Sequence, residues 1–502
     1  MNLMKSLVLS TALVAGIAGQ AMAETNVVIA IESSVRTLNP HNASITLDMS
    51  VAGAAYEGLF KFNTKMEIQP NLATGYEVSE DGKTYTITLN KGIKFHDGTD
   101  FNAEAVKYNF EHEIKHKLRR ASLLTNVKEF NVLADDKLEV VLKEPSNNFI
   151  NSITHPSQGM ISPAALEKYG EDIQSNPVGT GRFVFDKWTR GSSVAFTANE
   201  NYWRGPVKVD GIEFRTVAEA GSQLAMLQSG QAQFISTVAP AMKKVIDASP
   251  KAENVRVPTI IGRWYSLNTQ NEIFSDVRVR KALNYAFNKE AFAKVVYNGD
   301  AAPMTSPIPS DLETYAEQES YKYDLEKAKA LLAEAGYADG FKAVLWSKNS
   351  TLSLRSAEFM QQQLEALNIE LEIIPRDTAS HYAAGDTLKD DPTRPVIFDA
   401  GWSSSTGTAD WALRPIYQTG AGSNYALYSN PELDKLIAEG QITLDPARKQ
   451  EVYGQIQEIA WNDAPVIYTT VDYRTVGKSK ALKGVDFLPD GSISVGDVEL
   501  VK

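Results

Sequence analysis

The sequence has no cysteine. Disulfides, thiolate zinc sites, cysteine nucleophiles and a lipid-modified N-terminal cysteine are excluded together. An excess of positive charge is also missing. Lys and Arg number 50 against 62 Asp and Glu, a formal charge of −12. Such a chain has no basic field to condense onto phosphate backbones or anionic lipid, so nucleic acid is not an expected partner. Three enzyme signatures are absent as well: a glycine-rich phosphate loop followed by Lys-Ser or Lys-Thr, a dinucleotide fingerprint, and a Gly-x-Ser-x-Gly elbow. What remains, 502 residues with 43% hydrophobic and 22% charged side chains, is ordinary globular composition for about two to four domains.

Long apolar runs are lacking too. The stretch Leu7 to Ile17 is interrupted by Ser10, Thr11 and Gly16, too short for some 30 Å of hydrocarbon. It follows Lys5 and precedes Ala21-Met22-Ala23, the plan of a secretory signal cleaved after Ala23. The mature chain would then start at Glu24 with a formal charge of −13, having lost only Lys5. An exported protein without a lipid anchor is retained only where an outer membrane encloses it, so the expected compartment is a Gram-negative periplasm.

Strand and helix signals are interleaved, which makes the class α/β. Asn26 to Ile31 is a short β-branched run, and Tyr85, Ile87 and Leu89 alternate with threonines after a turn at Asp81-Gly82, the pattern of a half-buried strand. A helix is expected after Asn102, with Val106, Phe110, Ile114 and Leu118 on its core face. Asp276 and Asp324 are expected to cap two further helices, and Gly336 to stop the second.

His112-Glu113-Ile114-Lys115-His116 matches the spacing at which two His on one helix face bind zinc while Glu acts as general base. On a helical wheel both His fall opposite the expected core stripe, among Lys115, Lys117, Arg119 and Arg120. A solvated cationic face is therefore preferred to a zinc peptidase, and no metal or other cofactor is expected. His41, His96, His155 and His381 are isolated in sequence.

Longer matches point elsewhere. Pro70-Asn71-Leu72-Ala73, Leu89 to Thr99 with its Phe95-His96-Asp97-Gly98 core, Asn102 to Val106, Asn176 to Gly181, Tyr202-Trp203, Phe274 to Ala286 and Tyr428 to Asp434 together resemble the signature of family 5 extracellular solute-binding proteins. These serve ABC importers of peptides, nickel and related solutes. Met160 to Gly170 and Gly401 to Leu413 resemble most the glutathione-binding branch of that family. The resemblance covers essentially the whole mature chain.

It implies a two-lobed periplasmic binding protein fold of the large peptide-binder type, with two hinge crossings and an extra inserted domain. One lobe would comprise residues 24–57, 180–268 and 475–502, with 58–179 inserted as a smaller domain, and the other lobe 269–474. A glutathione-like small peptide would be enclosed between the lobes of a monomer and delivered to an inner-membrane ABC permease. Dipeptides, longer peptides, haem and nickel chelates remain alternative ligands. Asp410 matches the aspartate that receives the ligand's α-ammonium in peptide-binding relatives. Arg36, Arg263 and Arg355 are the carboxylate candidates, because guanidinium binds carboxylate bidentately. Tyr56 and Trp402 would supply flat walls, and Ser403 a hydroxyl.

Overall fold

The computed structural model describes residues 25–501. The expected signal segment and its cleavage after Ala23 lie outside them. No helix among the described residues is long and apolar enough to cross a membrane.

Two strands dominate the architecture. Ala252–Leu267 and Val466–Ser479 pair antiparallel along most of their length, with register shifts around Gly262. Strands from both ends of the molecule attach to this pair and form one 11-stranded sheet. On one side Val396–Ser403 pairs with the first long strand, followed by Lys342–Lys348 and Glu370–Arg376. On the other side Phe234–Ile235, Asn26–Ile31, Gly211–Thr216, Ser193–Ala198 and Phe183–Thr189 continue in that order. Each side buries its own core. The first lobe packs around Val27, Ile29, Phe196, Phe214 and Phe234. The second packs clusters on both faces of its half-sheet, around Trp264, Phe398, Tyr417 and Trp461 and around Leu283, Phe287, Leu345 and Ile397.

A separate four-stranded antiparallel sheet, in the order Ala73–Val78, Thr84–Leu89, Lys137–Leu142, Val127–Ala134, closes a third core around Ile87, Phe110, Leu138 and Phe149. Thr84–Leu89 buries Tyr85, Ile87 and Leu89, as its alternation requires, and Asp81 Oδ1 accepts from Lys83 N in the turn before it, where Gly82 takes φ +67. The short matched segments hold to one another, and His96 links this unit to the first lobe through Gly181. His96 N and Nε2 donate to the carbonyls of Gly179 and Gly181, while Tyr202 Oη and Trp203 Nε1 donate to the two oxygens of Glu57.

Three helices start where expected. Asn102, Asp276 and Asp324 accept from Ala105, Arg278 and Lys327 backbone N–H groups, supplying acceptors for the unpaired first-turn donors. Gly336, at φ +89, follows the helix Leu325–Glu334. The helix Ala103–Lys115 corrects one expectation. Its buried face carries Val106, Asn109, Phe110 and Glu113, while Ile114 is 40% exposed. From Val106 the face returns at four and then seven residues, so the +4 series Val106, Phe110, Ile114 drifts off it. Leu118 lies beyond the helix, which ends before Lys117 at φ 51.

Candidate ligand-binding cleft

The four-stranded unit and the second lobe meet through side chains from remote parts of the chain. Asn147 Nδ2 donates to the carbonyls of Gly440 and Thr443, at 2.9 and 2.5 Å, and Asn151 Nδ2 to that of Thr406 at 3.0 Å. The rings of His155 and Trp411 lie 6.4 Å apart, edge to face. Three of the expected residues belong to the second lobe's side of this junction. Trp402 and Ser403 end the strand Val396–Ser403, and Asp410 is the second residue of the helix Ala409–Tyr417, capped by Thr408. Trp402 Nε1 donates to Trp411 O at 2.6 Å. Ser403 Oγ donates to Asp490 O, tying this strand to the C-terminal turn of the first lobe.

Asp410 is buried but not alone. Arg414, one turn on, reaches its carboxylate with Nε at 3.0 and 3.2 Å. Burial raises the carboxyl pKa and Arg414 works against that rise. Arg263, opposite Gly401 in the sheet, places Nε and Nη2 on Asp472 Oδ2, both at 2.9 Å. Burial alone would lower this guanidinium's pKa, yet Asp472 together with Tyr297 and Tyr382 outweighs it and the net shift is upward. The other three lie apart from this group. Arg36 Nε stands 3.8 Å from Asp48. Arg355 is exposed and donates to Val295 O. Tyr56 is buried in the first lobe's core against Gly159 and Gly179, burial raising its phenol pKa.

The zinc pattern does not assemble. Glu113 is fully buried, whereas His116 is exposed and the ring of half-buried His112 lies tilted against it at 4.3 Å. Carboxylate and imidazoles therefore occupy different faces of the helix. No group of three or more metal-binding side chains occurs among the described residues.

The same helix nevertheless leads to the most polar part of the junction. Glu113 Oε1 accepts from Gln158 Nε2 at 3.2 Å, and Oε2 has no partner. Burial pushes this carboxyl up to about 8, against smaller opposing effects of Gln158 and Arg120. Arg120 donates Nε to Ala43 O at 2.9 Å, and burial, then repulsion from Arg119, bring it down to about 10. His155 is held neutral, its pKa lowered by burial and then by Arg120. Arg119 in turn acts electrostatically on Tyr425 of the second lobe. Neither Arg119 nor Arg120 has an acidic partner within ion-pair distance among the described residues. In the second lobe, Arg376 and Arg394 lie over the Trp346 ring at 4.5 and 4.9 Å, also without one. In sequence, Arg119 and Arg120 belong to a cationic run; the fold brings Arg119 within electrostatic reach of Tyr425 and Arg120 within reach of His155.

The family model of bacterial extracellular solute-binding proteins, family 5, matches residues 67–424. The chain is a family 5 solute-binding protein. This solute-binding protein is 38% identical over 490 residues to the glutathione-binding protein GsiB of Salmonella typhi, covering 96% of this chain and 95% of that one. It is 37% identical over 496 residues to GsiB of Pectobacterium atrosepticum, covering 97% and 96%. Two solved structures show the same two-lobed fold. The periplasmic binding protein DppA of Helicobacter pylori, in complex with the peptide STSA, superposes with TM-score 0.84 at 24% identity over 95% of this chain and 98% of that one. The dipeptide-binding protein of Pseudoalteromonas with Met-Leu gives 0.85 at 21%, over 95% and 100%. Members of this family are binding proteins, not enzymes, which removes the peptidase alternative.

Proposed function

We propose that this solute-binding protein takes glutathione, or a small peptide closely related to it, between its lobes and delivers it to an inner-membrane ABC permease, working as a monomer in the periplasm. The observation that carries the reading is the end-to-end similarity to glutathione-binding GsiB. The chemistry of the cleft supports it. Glutathione presents two carboxylates and one ammonium, and enclosing them requires compensating charges. Arg119 and Arg120 offer uncompensated positive charge, while Asp410 offers the negative one, its carboxylate shared with Arg414. Trp402 and Trp411, ring centroids 5.7 Å apart, supply apolar walls.

Native mass spectrometry of protein released from the periplasm, followed by calorimetry with glutathione, tests the proposal. A copurifying mass of glutathione or a γ-glutamyl peptide, with saturable heat on titration, is the expected result. Saturable binding of a nickel chelate or haem, with none of glutathione, would overturn it.

A further inference from the structure

The region around Arg120 contains hydrogen-bond donors without a protein acceptor. Arg120 spends Nε on Ala43 O, and its Nη groups, without a protein partner among the described residues, are not buried atoms. His155 adds a donor whose position the backbone fixes. Ser157 N donates to His155 Nδ1 at 3.2 Å; a backbone N–H can only donate, so Nδ1 is an acceptor and the proton of the neutral ring sits on Nε2. That buried Nε2–H has no acceptor. Beside them two oxygens, Glu113 Oε2 and Gln158 Oε1, are also unpartnered. A buried donor without a partner is destabilising in the empty protein. The unpaired Nη groups of Arg120 and the fixed N–H of His155 are the donors that suit an anion with two oxygens in a plane.

We propose that Arg120 and His155 form the subsite for one carboxylate of the peptide ligand, with the two Nη groups of Arg120 gripping its oxygens and His155 Nε2–H donating a further bond. The inference rests on the functional reading above and sharpens it. The subsite lies where the lobes meet, because the His155 ring packs against Trp411 of the opposite lobe. Closure and carboxylate capture therefore share a side chain. Neither residue was marked by sequence as a ligand contact: Arg120 stood in a cationic run and His155 was isolated.

The test is calorimetry with glutathione and its two monoamides, one blocked at the γ-glutamyl α-carboxylate and one at the glycine carboxylate, on wild type, Arg120→Gln and His155→Phe. Arg120→Gln is expected to weaken glutathione binding by thirtyfold or more, the usual consequence of truncating one partner of a buried charge pair. His155→Phe keeps the ring against Trp411 and removes only the N–H, so about a tenfold loss is expected. One monoamide, lacking the captured carboxylate, should bind wild type and Arg120→Gln within about threefold of each other, closing the cycle. Arg120→Gln that unfolds at the wild-type temperature and binds glutathione within threefold of wild type would overturn the subsite while leaving the functional reading intact. So would equal losses for both monoamides on going from wild type to Arg120→Gln. A wild-type protein that binds neither glutathione nor a dipeptide would overturn the functional reading and the subsite with it. Arg120→Lys is the folding control: it keeps the charge and loses the planar fork, so an intermediate loss is expected.

Discussion

Asp410 illustrates how a buried charge serves two partners. The resemblance to peptide binders marks it as an ammonium anchor, which leaves an empty site with an unpaired carboxylate. The structure supplies Arg414 instead. Asp410→Ala should therefore do two things: weaken glutathione by roughly thirtyfold or more, and lower the unfolding temperature of the empty protein by a few °C, because Arg414 is left half-buried without its partner. Asp410→Ala with Arg414→Ala should recover part of the stability but none of the affinity; thermal unfolding and calorimetry read the two effects separately. Lys289 makes the opposite case, a buried cation with no carboxylate. Its ammonium donates to Met304 O at 3.3 Å and lies 4.7 Å from the Trp461 ring centroid, and burial brings its pKa down to about 7. The unfolded chain keeps this lysine protonated to about pH 10.4. Between the two values the unfolded state holds the extra proton, so stability should rise with pH across that window, by up to about 1.4 kcal/mol per unit, and flatten below it. Lys289→Met should abolish the slope and stabilise the protein at pH 6, measured by urea unfolding at several pH values.

Caps and short amphipathic elements could be read from the sequence because their causes are local. Asn102, Asp276 and Asp324 each sit within three residues of the N–H they accept. The cleft could be read only in part. The loop from Gly401 to Leu413 stood out as a continuous segment, but its counterparts, Arg120 and His155, come from more than 240 residues away and carry no local pattern. The His-Glu-x-x-His spacing drew attention to the right helix for the wrong chemistry, since a motif does not reveal which face is buried. Arg36 and Arg355 are candidates by residue type alone, and the fold places them beside Asp48 and a helix-end carbonyl, apart from the Asp410 group. The segment around the helix Phe149–Thr154 carries a further prediction. Asn147 and Asn151 grip the carbonyls of Gly440, Thr443 and Thr406 across the junction. Asn147→Ala with Asn151→Ala removes these bonds, each worth about 1 kcal/mol. Dissociation of glutathione should speed up by roughly tenfold or more while association changes little, as stopped-flow fluorescence of the cleft tryptophans would show.

At the scale of the molecule, the two lobes share one hydrogen-bonded sheet rather than a flexible linker. The strands Ala252–Leu267 and Val466–Ser479 contribute to both cores: Trp264 and Tyr468 pack in the second lobe, and Val476 in the first. Opening must therefore be absorbed as twist in two paired strands, and the register shifts around Gly262 mark where the ladder is already interrupted. The shared sheet also has a consequence for how the chain comes apart. Melting either lobe frays strands on which the other depends, so neither lobe has an unfolded partner it can survive beside. Scanning calorimetry of the ligand-free protein should show a single endotherm whose calorimetric and van't Hoff enthalpies agree, despite a length at which separate transitions are common. Two resolved peaks would mean that each half-sheet holds itself together. A single one makes the crossing strands a mechanical fuse, in which damage to one lobe condemns both.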